Sequence, residues 1–189
     1  MNKTFGPAAD FALVKDDGTR TIVSYDLETV AGSDNATWRE VYFPKKQVAK
    51  PSLDQVKTAI IADINAQTDE KILTGFVWTP EGGEPIPVYL SEENQRNFSE
   101  AQRVAAMTDG GNLPLKVKVS EGADGLPMYD NFETIQEVTN FYLTGVQFID
   151  VCLKAGWQEK DSIDWAPYEA ALNPQPEQTE GTKKSSKKK

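Results

Sequence analysis

The sequence contains no histidine and a single cysteine, Cys152. Without histidine the chain lacks the side chain that titrates unaided near neutral pH, and with it every Ser-His or Cys-His nucleophile pair. One cysteine and no histidine fall short of the four ligands of a structural zinc site. No intrachain disulfide can form, so the fold does not depend on oxidising conditions. Cys152 lies in an apolar helical pattern and is expected as a buried thiol. No apolar run approaches the roughly 20 residues a membrane span needs. The first residues do not join a basic segment to an apolar one, so secretion through a signal peptide is not expected. Glycosylation-type triplets begin at Asn2, Asn35 and Asn97 and mean nothing without a secretion route.

Phosphate-binding loops are missing too. Gly82-Gly83 and Gly110-Gly111 sit in turns, with no following Gly-Lys-Ser/Thr and no dinucleotide fingerprint. Basic residues number 20 against 29 acidic ones, a net charge of -9 that repels phosphate backbones and anionic membranes. Asn173–Lys189 carries five Lys against two Glu, so the other 172 residues hold about -12. Asp16-Asp17-Gly18 lacks the further oxygen ligands of a calcium loop. Two facing carboxylates would suffice for a glycosidase. Asp26, Glu28, Glu92, Glu93, Asp161 and Asp164 instead fall in turns or at helix starts, where acids cap helices and aid solubility. The expectation is a protein without catalytic residues, metal or cofactor.

What is present is ample material for a core: 39% of residues are hydrophobic, with four Trp, six Tyr and eight Phe. Residues 11–15 and 21–27 read as strands joined through Asp16-Asp17-Gly18-Thr19, a hairpin signal. Residues 29–37 read as a loop, and Trp38 to Phe43 as another strand. Ser52 opens a helix with Gln55 completing a capping box, followed by Leu53, Val56, Ile60 and Ile64 on one stripe. Leu73 to Thr79 reads as a strand turned back by Pro80-Glu81-Gly82-Gly83 onto Pro87 to Leu90. Ser91 caps a helix over 92–107. Leu113 to Ser120 alternates, with Leu113, Leu115, Val117 and Val119 on one face and Lys116 and Lys118 on the other. Leu126 to Tyr129 returns beside it. Asn131 is expected to cap a long helix from Phe132 to Ala155, with Gly156 as its stop. Trp157 to Tyr168 then forms a turn or short helix.

These elements predict an α+β fold: an antiparallel sheet of short hairpins packed against one long C-terminal helix and two shorter ones. The expected organisation is an N-terminal β segment or docking arm over 1–50, an α+β core over 51–172, and a disordered Lys-rich tail over 173–189. Trp38, Tyr42 and Trp165 are candidate partner-binding aromatics, since Trp and Tyr are enriched where interfaces hold most tightly. Trp78 is better read as core. Lys183, Lys184, Lys187, Lys188 and Lys189 are candidates for docking on an acidic partner or on nucleic acid. No aromatic is interleaved with them, so specific nucleic-acid recognition is not expected.

Four stretches from Leu53 to Tyr168, about 60% of the chain, carry a family resemblance. They are the capped helix running into Thr68-Asp69-Glu70-Lys71-Ile72-Leu73-Thr74-Gly75-Phe76-Val77-Trp78, then Val88-Tyr89-Leu90-Ser91-Glu92-Glu93-Asn94-Gln95-Arg96-Asn97-Phe98, then Leu113-Pro114-Leu115-Lys116-Val117-Lys118, and the long helix ending in Gly156-Trp157-Gln158-Glu159-Lys160-Asp161. Together they resemble a family of unknown function from bacteriophages and prophages of gut bacteria, whose members occur among tail and tail-fibre genes. The resemblance brings no catalytic residues to carry over. It implies a virion protein assembled in the host cytoplasm, an adaptor or connector of the tail, tail-fibre or collar region. Such a protein works in several copies through contacts with other virion proteins (tail, fibre, collar or portal). An assembly chaperone absent from the mature virion is the alternative. A carbohydrate-binding protein is a second, and needs exposed Trp beside paired carboxylates.

Overall fold

The computed structural model describes residues 3–122 and 124–174. Among the described residues eight strands all pair antiparallel, and four α-helices accompany them, the α+β class expected. The chain forms two compact units, Met1–Ile60 with Asp164–Lys189, and Ile61–Ile163. This division departs from the expected boundaries at 50 and 172. The N-terminal sheet does not close on itself but takes its last helix from the other end of the chain.

In the first unit, β1 (Thr4–Pro7), β2 (Val14–Asp16), β3 (Arg20–Thr29) and β4 (Asn35–Pro44) make a sheet of order β1-β4-β3-β2. The β2–β3 hairpin turns where Asp-Gly predicts. Gly18 takes φ 90°, and the Asp17 carboxylate accepts from the Thr19 and Arg20 backbone N–H groups, both at 2.9 Å. Thr21 to Tyr25 are all buried, so the middle of β3 is covered on both faces. The strands invade the expected 29–37 loop from both ends and leave only residues 30–34 as connection. β1 has no sequence signal, being a four-residue edge strand ending in proline. Between Tyr25 and Glu28 the ladder bulges, with Asp26 at φ 55° held by Lys3 at 2.9 Å and Arg39 at 3.1 Å.

The closing helix, α4 (Ala166–Leu172), buries Tyr168 and Leu172. The Tyr168 hydroxyl donates to the Ser24 carbonyl at 3.2 Å, and burial pushes that phenol up to about 12. Lys50 Nζ donates to Asn173 Oδ1 at 3.4 Å, another tie between the two ends of the chain.

Helix α1 (Leu53–Thr74) starts as expected: Gln55 N–H donates to Ser52 Oγ at 3.2 Å and Ser52 N–H to Gln55 Oε1 at 2.9 Å. Val56, Ile60 and Ile64 are fully buried. The helix outlasts the predicted strand start at Leu73 because Gly75, at φ 78°, provides its left-handed end.

In the second unit, β5 (Phe76–Trp78) pairs with β6 (Ile86–Val88) and β7 (Leu115–Glu121) with β8 (Pro127–Phe132), around α2 (Glu92–Met107) and α3 (Ile135–Asp161). α2 is capped by Ser91 as read. Its core is an aromatic cluster centred on Phe141, whose ring centroid lies 4.8 Å from Phe98, 5.1 Å from Phe132, 5.3 Å from Trp78 and 5.7 Å from Phe76. Trp78 is partly buried against this core, and its indole N–H donates to Asp130 Oδ2 at 2.7 Å. Cys152 is a buried thiol.

The long helix corrects the sequence reading at both ends. Asn131 belongs to β8, opposite Lys116, and Thr134 is the N-cap in a reciprocal capping box with Glu137. Gly156 does not stop the helix; it lies buried within α3, against Thr68 of α1. α1 brings Thr68 close enough there that a side chain at Gly156 would collide, which explains a glycine inside a helix.

Candidate functional site

Of the candidate residues, Trp38 is a correction. It is only 5% exposed, and it packs edge-on to Phe11 with ring centroids 6.1 Å apart. Its strand is interior to the sheet, flanked by β1 and β3, so its ring fills the core of the first unit and cannot serve as a docking surface. Its N–H donates to Glu40 Oε1 at 2.8 Å.

Tyr42 stands two residues beyond Glu40 on the same face of β4 and is 46% exposed. Its hydroxyl donates to Glu40 Oε2 at 2.6 Å, and the Arg20 guanidinium covers its ring at 4.4 Å. The hydrogen bond to the Glu40 carboxylate, then burial, holds the phenol above its ordinary range. Arg20 is also paired with Asp17 at 2.8 Å. The patch is thus internally satisfied, and Tyr42 offers a partner the open part of its ring.

Trp165 is partly buried, with Tyr168 at 5.7 Å between centroids and Lys57 Nζ at 5.8 Å above its ring. It anchors α4 as much as it faces outward. Lys183, Lys184, Lys187, Lys188 and Lys189 lie outside the described residues, as does nearly all of the expected tail.

The surface that sequence reasoning missed is on α3. Leu143, Val146, Val151 and Trp157 are 45%, 40%, 65% and 51% exposed. At 100° per residue they fall within an arc of about 140°. The face opposite carries Val138, Phe141, Gly145, Cys152 and Gly156, all buried. One ion pair, Asp150 with Lys154 at 2.6 Å, crosses the exposed face. Beside Val146 a small apolar notch of about 120 Å³ opens between α2 and α3, lined by Leu90, Phe98, Phe141, Tyr142 and Ile149. Gly145 helps open it; a Cβ there would stand 3.2 Å from the Phe76 ring.

A second cleft, of about 470 Å³, lies between α2 and β7. Glu93, Asn97, Ala101 and Val104 of α2 form one wall, and Leu115 to Lys118 form the other. Among the described residues no group of three or more His, Cys, Asp or Glu side chains is placed to hold a metal ion. No helix among them is long and apolar enough to cross a membrane. Comparison with protein-family models, curated proteins and solved structures finds no match to the chain.

Proposed function

We propose that the protein is a non-enzymatic structural component of a phage virion, an adaptor or connector of the tail, tail-fibre or collar region. The virion setting follows from the family resemblance of Leu53–Tyr168. The protein-contact role is carried by one observation: α3 turns Leu143, Val146, Val151 and Trp157 to solvent while its other face fills the core. Covering the exposed half of Trp157, on the order of 100 Å², is worth roughly 2–3 kcal/mol at about 25 cal/mol per Å². A partner side chain seated in the notch beside Val146 adds a fixed register to that contact.

Quantitative mass spectrometry of purified, salt-washed particles tests the reading. The expected result is this chain at fixed stoichiometry with the portal or tail proteins. Its presence in infected-cell lysate and absence from particles would refute the structural role and make it an assembly chaperone.

A further inference from the structure

The α2–β7 cleft differs from the α3 face in what it lacks. β7 pairs with β8 along one edge only, and the pair forms a two-stranded sheet. Successive strand residues point to opposite faces, so a cleft lined by all four of Leu115, Lys116, Val117 and Lys118 is lined by the strand's other edge. In an antiparallel pair alternate residues turn their N–H and C=O away from the neighbour, which leaves two donors and two acceptors on this stretch. β6 packs near β7 without pairing to it, and among the described residues no backbone–backbone hydrogen bond reaches these groups. An open edge of this kind is a template for one more strand.

We propose that this cleft captures an extended segment of a partner protein, which adds to β7 as a third strand between β7 and α2. The inference rests on the adaptor reading and names the chemistry of the partner. At strand spacing, rise and layer thickness of about 4.8, 3.3 and 10 Å, one extended residue takes roughly 160 Å³, so the cleft holds about three. The α2 wall selects a lone segment: a second copy would bring its own α2 alongside its β7. Ala101 and Val104 on one wall and Leu115 and Val117 on the other are apolar, which calls for apolar side chains at alternate positions of the segment. Glu93 is exposed, has no ion-pair partner among the described residues, and acts across the cleft on Lys118, which is itself tied to Glu121 at 2.7 Å. Residues Ile61–Ile163 carry 17 acidic against 7 basic side chains. The segment therefore places a basic residue beside Glu93.

The test pans a random dodecapeptide display library on the full chain and synthesises the enriched sequences. The expected peptides alternate apolar and polar residues, include a basic one, and slow amide exchange at Leu115–Lys118. Ala101→Trp, which fills the cleft, is expected to weaken them about tenfold or more, and Glu93→Lys to weaken the basic ones several-fold. Glu93 is exposed, so that variant keeps the test decisive if Ala101→Trp fails to fold. No enrichment over an unrelated control protein overturns the proposal, as does binding unchanged in both variants. Protection of the β7 amides by protein concentration alone also overturns it, since the occupant would then be a second copy. Failed capture by a chain present in particles sinks this proposal and leaves the adaptor reading standing. Successful capture by a chain absent from particles does the reverse.

Discussion

Gly156→Ala sets two opposed effects against each other. Inside an unencumbered helix the change stabilises by about 1 kcal/mol, because alanine loses less backbone freedom on folding. At this position the new Cβ would collide with Thr68 Oγ1 and stand 3.4 Å from Thr68 Cβ and Cγ2. Thr68 cannot simply swing away. Its hydroxyl donates to the Ile64 carbonyl at 2.9 Å, and the residue is 9% exposed. Breaking that bond costs about 1 kcal/mol, and overpacking a dense contact costs about 1–3 kcal/mol. The net expectation is a loss of roughly 1–3 kcal/mol. In a Thr68→Ala background the colliding oxygen and methyl are gone, so Gly156→Ala is expected to stabilise by up to about 1 kcal/mol there. The coupling energy of the cycle is then about 2–4 kcal/mol. Urea unfolding of the four proteins, followed by far-UV circular dichroism, measures it. A Gly156→Ala effect of the same sign and size in both backgrounds would refute the close-approach account of this glycine.

Three further outcomes follow from the geometry. Trp38→Ala is expected to destabilise the first unit by about 3–5 kcal/mol, read as a shift of the urea midpoint; a change near zero would return Trp38 to the surface. Tyr168, at about 12 in the fold against an ordinary 10.0, contributes stability that is complete below pH 10 and is lost as pH rises towards 12. Between pH 8 and 11 the wild type should therefore lose about 1.4 kcal/mol more than Tyr168→Phe, and equal losses would show the phenol is not buried. Val146→Asp and Trp157→Ala should leave the urea midpoint within about 0.5 kcal/mol of wild type while lowering incorporation into particles. Unchanged incorporation would remove the α3 face from the proposed contact.

The antiparallel α+β class was legible because its turns are: Asp16-Asp17-Gly18 and Pro80-Glu81-Gly82-Gly83 both mark reversals between apolar runs. The Ser52 and Ser91 caps were legible because a cap is a local hydrogen bond between residues three apart. The Thr134–Glu137 box is equally local, but the sequence reading places the cap at Asn131, which the fold instead holds in β8, paired with Lys116. Gly156 misled because its reason is tertiary, the approach of Thr68 some 88 positions earlier in the chain. With the helix ended at Ala155, Trp157 falls outside the periodicity that joins it to Leu143 and Val146. Trp38 misled for a related cause: its burial depends on β1 and Phe11, and β1 leaves no alternation in the sequence.

Because α4 completes the N-terminal sheet, the chain is nested in sequence: residues 61–163 interrupt the stretch that builds the other unit. On the ribosome this sets an order. The β1–β4 strands emerge before the inserted unit but wait for Tyr168 and Leu172, and at typical synthesis rates the inserted 103 residues delay them by about 5–20 s. In that interval the inserted unit has all its own residues and can complete, while the strands emerging before it hold Val23 and Trp38 without the helix that will cover the sheet. The nascent chain is thus most vulnerable to proteases and to mispairing in the β1–β4 strands.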